Sequence, residues 1–358
     1  MIFLAILPAF SSSTNRTILG NGAIQYNAFQ LRGTGVAMNC FSPSARNYQP
    51  NAWEILEDLN INVIRVWGGV EGDINHLNMH NYPNEWAQNL DAFLTEADSH
   101  GIKVIFHNLG MSWGTLFGIV SPGDTGGPVP ATPIDEAKAM IDQLAGDNVL
   151  GHNFLTDSRV IAWRPSNEGD ITDSETLNWN LELCDYIRSK GGKAYLASPR
   201  GLGGWFHGED FHVTEPILRG HVDYLERHLY EMGEFAGKDY TSFYNYYKNV
   251  LQNHMMDGRG TFPVETLILG EFGIWRGYGS DCGYSGTFSD EDRQTYYRAV
   301  LDAARDVGIR NVFFHDLFAL KVGPDWTEYE TPMYGIVDVD GSYFPLVADV
   351  IKEAYHTS

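Results

Sequence analysis

The chain has 358 residues, of which 43% are hydrophobic and 20% charged, and this is enough to bury a large core in one domain. Its 46 acidic and 24 basic side chains give a formal net charge of −22. Such a surface repels phosphate backbones and anionic lipid headgroups, so we expect neither nucleic acid nor membrane as a partner.

The N-terminal residues, from Met1 to Phe10, are apolar and are followed by a short Ser/Thr run. They resemble the second half of a signal peptide that lacks its basic start. We therefore expect residues 1–14 to be a signal-peptide remnant or a disordered N-terminus, and the protein to be extracellular. Residues 15–358 are expected to form one domain, because no linker or low-complexity segment divides them.

The order of predicted elements indicates an α/β fold, a single (β/α)₈ TIM barrel. Residues 17–31 are predicted to form a β-hairpin around Asn21-Gly22 that caps the barrel floor. From Gly33 onward, short β-branched runs alternate with amphipathic stretches, and glycines at 101, 191 and 308 mark helix ends in the left-handed conformation. The eight predicted strands are 35–39, 61–67, 103–108, 160–165, 193–198, 222–228, 266–271 and 311–316.

Polar residues collect where these strands end. In a (β/α)₈ barrel the carboxyl ends of the strands meet at one face, where the working residues lie. Six of the eight strand ends are polar here, which indicates a shared site rather than coincidence. These residues are Arg65, His107-Asn108, Asn167-Glu168, His228-Leu229-Tyr230, Glu271 and His315-Asp316.

Two of these residues, Glu168 and Glu271, have the chemistry of a retaining glycoside hydrolase. That reaction needs two carboxyl groups about 5 Å apart, one protonated as the acid and one ionised as the nucleophile. Strands four and seven face each other across a barrel, so the two glutamates can reach this separation. An unpaired buried carboxylate is costly and is usually kept only for function.

The surroundings of the two glutamates assign their roles. Arg65 and Tyr230 are expected to keep Glu271 ionised, as a nucleophile requires. Glu168 is then the acid/base, and the neighbouring Asn167 amide is placed to hold the sugar 2-hydroxyl. His107 and His228 would orient substrate and carboxylates, although either could instead be a core histidine.

Aromatic residues near the strand ends are candidates for stacking on sugar faces. Each could equally be structural packing. The candidate substrate-binding residues are Trp67, Trp113, Trp205, Trp275, His315 and Trp326.

Five motifs together resemble clan A glycoside hydrolases, family 5 in particular, over nearly the whole chain. The resemblance implies a retaining endo-β-glycanase with Glu168 and Glu271 as catalytic residues and Arg65, His107, Asn167, His228 and Tyr230 in positioning roles. The motifs are Ile64-Arg65-Val66-Trp67, Ser166-Asn167-Glu168, His228-Leu229-Tyr230, Leu269-Gly270-Glu271-Phe272-Gly273 and Tyr334-Gly335-Ile336-Val337-Asp338-Val339-Asp340-Gly341.

Two residues depart from the family pattern. Gly169 follows Asn167-Glu168 where the family commonly has Pro, and His315-Asp316 ends strand eight where a Trp platform is usual. The second departure bears on substrate preference, and Trp275 or Trp326 could replace the platform.

Three other functions are less well supported by the sequence. A metal hydrolase is weakly supported by His207 and His212, because strand one ends Asn39-Cys40 and has no His-x-His pair. No nucleophilic-serine turn or phosphate-binding glycine motif is present. A catalytically inactive sugar-binding barrel is disfavoured because both glutamates are intact.

The three cysteines are too few for a disulfide framework. The barrel would bring Cys40 and Cys282 near the catalytic mouth, either as a disulfide or as two free thiols, while Cys184 lies in a helical pattern.

The sequence therefore predicts a secreted, monomeric endo-β-1,4-glucanase of the cellulase type that uses no metal or cofactor. Endo-β-1,4-mannanase is the alternative, because glucose and mannose differ only at the 2-position.

Overall fold

A computed structural model gives the fold of most of the chain, and these are the residues described below. They are 16–18, 24–26, 29–45, 47–67, 76–107, 109, 117–119, 131–167, 173–197, 211–229, 239–274, 288–319, 321–322, 328–329, 334–338 and 340–356.

Eight parallel strands form the predicted barrel. Neighbouring strands pair in the order β6-β5-β4-β3-β10-β9-β8-β7, and the Trp163 N–H bond to the Lys193 carbonyl, 2.9 Å, joins the two ends. The strands are β3 (Leu31–Ala37), β4 (Val63–Trp67), β5 (Lys103–Phe106), β6 (Val160–Trp163), β7 (Tyr195–Ala197), β8 (Tyr224–Leu229), β9 (Leu267–Phe272) and β10 (Asn311–Phe314).

Helices alternate with these strands around the barrel. The described residues include α1 (Ala52–Asp58), α2 (Trp86–Ser99), α3 (Ile134–Leu144), α4 (Ser174–Ser189), α5 (Phe211–Leu218), α6 (Tyr240–Val250), α7 (Asp290–Val307) and α8 (Pro345–His356), with a π-helical turn, Leu251–Met256, after α6.

The helices pack on the barrel through apolar stripes at helical spacing. In α2, for example, Trp86, Leu90, Leu94 and Ala97 are buried, and charged residues occupy the other face. None of the described helices is both long and apolar enough to span a bilayer.

A small apolar layer fills the barrel interior below the strand ends. It consists of alternate residues of different strands, and its members are Val63, Ile105, Ala162, Tyr195, Ile268 and Phe313. This packed layer closes the barrel to water from below, so polar side chains above it lie at the dry end of a cleft.

The predicted (β/α)₈ fold is confirmed, and the first strand is corrected. It begins at Leu31 rather than residue 35, and Met38–Phe41 form a 3₁₀ turn instead of continuing the strand. The glycines in this strand hid its start, because Gly lowers β-propensity.

The predicted N-terminal hairpin is also present. Strand β1 (Arg16–Ile18) pairs antiparallel with β2 (Ile24–Tyr26). The Asn21-Gly22 turn and residues 1–15 lie outside the described residues, so the signal peptide and the capping of the barrel floor stay predictions. A second small ribbon pairs β11 (Lys321–Val322) with β12 (Glu328–Tyr329).

The predicted helix-ending glycines adopt the left-handed conformation, with φ of 70°, 90° and 93° at Gly101, Gly191 and Gly308. A Cβ at Gly308 would lie 3.9 Å from the nearest atom, on Met256, so the site has room for a side chain. The cost of a side chain there is therefore a backbone cost.

We expect Gly308→Ala to lower the free energy of unfolding by about 1–2 kcal/mol, because an alanine is strained at this φ. Urea denaturation measures the change. Gly308→Asn is the matched control and should lose less, since Asn tolerates the left-handed region. An alanine variant as stable as the wild type would contradict the backbone argument.

Candidate active site

The carboxyl ends of the barrel strands carry a compact group of charged and polar side chains. Most of the group is buried, with Asn167 and His315 partly exposed, and it lies directly above the apolar layer. Its members are Arg65 on β4, His107 after β5, Arg164 and Asn167 after β6, Glu226 and His228 on β8, Glu271 on β9 and His315 after β10.

Glu271 is the carboxylate at the centre of this group and is only 5% exposed. Arg65 Nη2 donates to its Oε1 at 2.7 Å. His107 Nε2 lies 3.3 Å from Oε1, and His228 Nδ1 lies 3.4 Å from Oε2. One full positive charge and two rings thus fix the orientation of this carboxylate, and the predicted contact between Arg65 and Glu271 is present.

His107 is held neutral. Burial, and then the charges of Arg164 and Arg65, lower its pKa well below the usual value. Arg164 Nη2 lies 2.5 Å from Nδ1 and 2.9 Å from Nε2, so this arginine alone does not fix the tautomer. Nε2 also lies 3.3 Å from Glu271 Oε1, and because a carboxylate can only accept, we assign the ring proton to Nε2. That N–H faces Glu271, so His107 can donate to the carboxylate without adding a charge.

Asn167 is oriented from below. Arg164 Nη2 donates to Asn167 Oδ1, which leaves the amide nitrogen as the group available to a ligand. The preceding residue, Ser166, donates to Asn180 Oδ1 on α4 at 2.6 Å. The end of β6 is therefore anchored on both sides immediately before Glu168.

Two charged residues of the site, Arg164 and Glu226, were missed by the sequence analysis. The Glu226 side chain has no exposed surface; its Oε1 accepts from Arg65 Nη1 at 2.6 Å, and its Oε2 accepts from Arg164 Nη1. The signal that could have found them is alternation: Glu226 has the same strand parity as His228, so both face the barrel interior.

Glu226 is ionised despite its burial. Burial alone would raise its pKa, but the charges of Arg164 and Arg65 outweigh it and lower the pKa to about 2. The Arg164 guanidinium also lies over the Tyr195 ring, with its carbon 5.3 Å from the ring centroid. This cation–π contact joins the charged group to the apolar layer below.

His315 occupies the end of β10, where the family pattern has a Trp. Burial lowers its pKa to about 4, against the opposing charge of Glu271 and together with the charges of Arg65 and His228. Its ring packs edge-on against Tyr334, with centroids 5.5 Å apart. The imidazole and the phenol therefore pack together at the end of β10.

Among the tryptophans, only Trp67 of the predicted substrate-binding set is described. It ends β4, is partly buried and packs against the main core. Its buried Nε1 has no hydrogen-bond partner among the described residues.

The structure does not test every predicted site residue. Cys40 is buried in the 3₁₀ turn after β3, but its predicted partner Cys282 lies outside the described residues, so that pairing stays a prediction. Within the described part of the chain, no group of three His, Cys, Asp or Glu side chains is arranged to hold a metal ion. The other predicted residues outside the described set are Glu168, Tyr230, Trp113, Trp205, Trp275 and Trp326.

Comparisons with known proteins give one curated relative at low identity. No model of a known protein family matches the chain. The chain is similar to mannan endo-1,4-beta-mannosidase 1 of Oryza sativa subsp. japonica, with 23% identity over 286 residues. The match covers 69% of this chain and 64% of the rice protein, so the chain spans just under two thirds of that relative.

Solved structures with a similar fold are also glycoside hydrolases. The endo-1,4-beta-D-mannanase of Thermotoga petrophila RKU-1 superposes with a TM-score of 0.58 at 19% identity, covering 91% of this chain and 99% of that one. The endo-1,4-beta-mannanase of Rhizomucor miehei gives 0.57 at 16% identity and 92% and 95% coverage. The GH2 beta-galacturonidase of Eisenbergiella tayi gives 0.58 at 18% identity, with 94% of this chain and 52% of that one covered.

These comparisons confirm the predicted resemblance to glycoside hydrolases with a barrel fold. They do not distinguish the clan and family, which stay predictions. Mannanases, the alternative in the sequence analysis, occur among both the curated relative and the solved structures.

We expect stability to fall as the pH drops from about 6.5 to about 4, because buried His107 and His315 stay neutral while unfolded histidines bind protons near pH 6.5. His107→Gln should flatten this dependence by up to about 1.4 kcal/mol per pH unit. Urea unfolding at pH 7, 6, 5 and 4 measures the slope.

The control for this prediction is His100→Gln. Burial opposes protonation of His100, but Glu57 and Glu96 raise its pKa overall, so its contribution to stability is lost as the pH rises. Removing it should steepen the acid-side loss. Equal slopes for the wild type and His107→Gln would show that His107 is not held neutral.

Proposed function

We propose that the protein is a retaining endo-β-1,4-mannanase with Glu271 as nucleophile and Glu168 as acid/base. The observation that carries the proposal is Glu271 itself, a buried carboxylate at the barrel mouth that Arg65, His107 and His228 hold in one orientation. A carboxylate fixed at this end of a barrel fits the role of an attacking group.

The reaction proceeds by double displacement. Glu271 attacks the anomeric carbon while Glu168 protonates the departing glycosidic oxygen, which leaves a covalent glycosyl-enzyme. Glu168, now ionised, takes a proton from water, and the hydroxide oxygen displaces Glu271 from the anomeric carbon. Glu168 directly follows Asn167, whose strand end lies across the barrel from β9.

Asn167 is the residue that we assign to the sugar 2-hydroxyl. Its oxygen accepts from Arg164, so its amide N–H groups are left to donate to the substrate. Mannose and glucose differ in the direction of this hydroxyl alone, so an amide held by a buried arginine is suited to distinguish them.

The charge of the described site favours a neutral sugar. The charges of Arg65 and Arg164 are balanced by those of Glu226 and Glu271. Both Nη groups of each guanidinium donate to partners within the protein. No cation among the described site residues is left over for a uronic acid. This charge balance supports a neutral sugar as the substrate. The similarity to the rice mannosidase supports mannan in particular.

The first test compares polysaccharides side by side. We expect reducing ends to be released from galactomannan faster than from carboxymethyl cellulose, mixed-linkage β-glucan or xylan. Faster release from either glucan would restore the glucanase expected from the sequence. Binding without cleavage of any of them would support a sugar-binding barrel.

Glu271→Gln and Glu168→Gln should each lower turnover on galactomannan by about 10³-fold or more with the fold intact, since each removes a group that acts on the reacting bonds. Circular dichroism checks folding. The matched control is Glu215→Gln, at a buried glutamate on α5 that pairs with Arg219, and this variant should keep its activity. Substantial turnover by either active-site variant would refute the assignment.

The stereochemistry of the product gives an independent test. We expect the first product seen by proton NMR to carry the β-configuration, because two displacements at one carbon restore the original configuration. An initial α-product would show a single displacement and would exclude Glu271 as a nucleophile.

A further inference from the structure

We propose that Glu226 is a positioning residue of this reaction, which orients both arginines of the site and through them the nucleophile and the substrate-facing amide. This inference rests on the proposed function for its kinetic consequences. Its structural basis is the pattern of contacts around the Glu226 carboxylate, which lies below the mouth. In the proposed reaction Glu226 acts through other residues and not on the substrate.

Each arginine donates one Nη group to Glu226 and the other to a residue nearer the mouth of the barrel. Arg65 Nη1 donates to Glu226 Oε1 at 2.6 Å, and Arg65 Nη2 donates to Glu271 Oε1 at 2.7 Å. Arg164 Nη1 donates to Glu226 Oε2, and Arg164 Nη2 donates to Asn167 Oδ1. A guanidinium is planar, so fixing one Nη fixes the direction of the other. One carboxylate thereby sets the direction of two bonds on opposite sides of the cleft.

The backbone next to Glu226 is shaped around its side chain. A Cβ at Gly270 would lie 1.8 Å from Glu226 Oε1, so no side chain can be present there. Gly270 is also the extra residue at an irregularity in pairing, where Arg227 lies opposite Leu269 but His228 lies opposite Glu271. The same bulge makes room for Glu226 and sets Glu271 beside His228.

The charge of Glu226 also acts on Glu271. Glu226, Glu271 and Asp316 are buried carboxylates near the two guanidinium groups, and the rings of His107, His228 and His315 lie beside them. Replacing Glu226 by glutamine removes one negative charge from this buried group, which favours the ionised form of Glu271 and weakens it as a nucleophile. A side chain that only supported the fold would change the amount of active protein and not the ionisation of Glu271.

The test is the pH dependence of galactomannan hydrolysis by Glu226→Gln. We expect kcat to fall about 10- to 100-fold with KM changed less than about 3-fold, because the bonds to Glu271 and Asn167 lose their fixed direction. The acidic limb of the kcat/KM profile reports ionisation of Glu271. We expect this limb to shift to lower pH by about 0.5 pH unit or more.

A double variant covers the case in which Glu226→Gln does not fold. Arg164→Gln with Glu226→Gln removes one charge of each sign, so its acidic limb should return to the wild-type position while kcat stays low. Asp157→Asn, at a buried carboxylate at the opposite end of the barrel, should leave the profile unmoved. A wild-type kcat in the double variant, or a wild-type limb in folded Glu226→Gln, would overturn the inference.

A second readout does not depend on turnover. Nitrogen NMR should show slow rotation of the Arg65 and Arg164 guanidinium groups in the wild type and faster rotation in the Glu226 variants. If the wild type cleaves none of the polysaccharides, the proposed function fails while this readout still decides the positioning role. Equal rotation rates in the two proteins would overturn it.

Discussion

The ion pair between Arg65 and Glu271 depends on a second carboxylate beneath it. A lone guanidinium buried beside one glutamate would still have an Nη group without a partner, and leaving a charge incompletely paired in a dry site costs about 3–5 kcal/mol. Glu226 takes that group, and Arg164 takes the other oxygen of Glu226. Four charges that would each be costly alone form a group in which every one is paired.

The barrel geometry allows these four charged side chains to pair with one another. Parallel strands bring side chains of four different strands together at one end of the barrel, and the apolar layer of Val63, Ile105, Ala162, Tyr195, Ile268 and Phe313 seals that end from below. The Tyr195 ring is shared by both layers, since it packs in the apolar one and faces Arg164 of the charged one. The site is therefore the topmost layer of the barrel core rather than an addition to it.

The sequence predicted much of this architecture because its signals are local. Short β-branched runs marked the strands, left-handed glycines marked the helix ends, and the strand-end rule found Glu271, Arg65, His107 and His228. Arg164 and Glu226 escaped because they lie before the ends of the strands predicted from the sequence, and because their partners are far away in sequence. Arg65 and Glu226 are separated by 161 residues, and only the pairing of strands shows that they meet.

The start of β3 was misplaced for a different reason. Gly33 and Gly35 weaken the strand signal, but both glycines are required by close neighbours. A Cβ at Gly33 would lie 2.2 Å from the Phe313 ring, which fills the apolar layer, and one at Gly35 would lie 3.2 Å from His315. Residues that lower local propensity are thus kept where the interior of the barrel needs their space.

The shared carboxylate also means that the two sides of the cleft are not independent. From Glu271 the contacts run through Arg65, Glu226 and Arg164 to Asn167, and every link is a charged hydrogen bond in a dry site. Groups joined in this way respond together, so a change on β6 is felt at β9 without any direct contact between them. In the proposed reaction, one network would then set both the orientation of Glu271 and the contact of Asn167 with the sugar 2-hydroxyl, and it would couple the rate of the reaction to the choice of sugar.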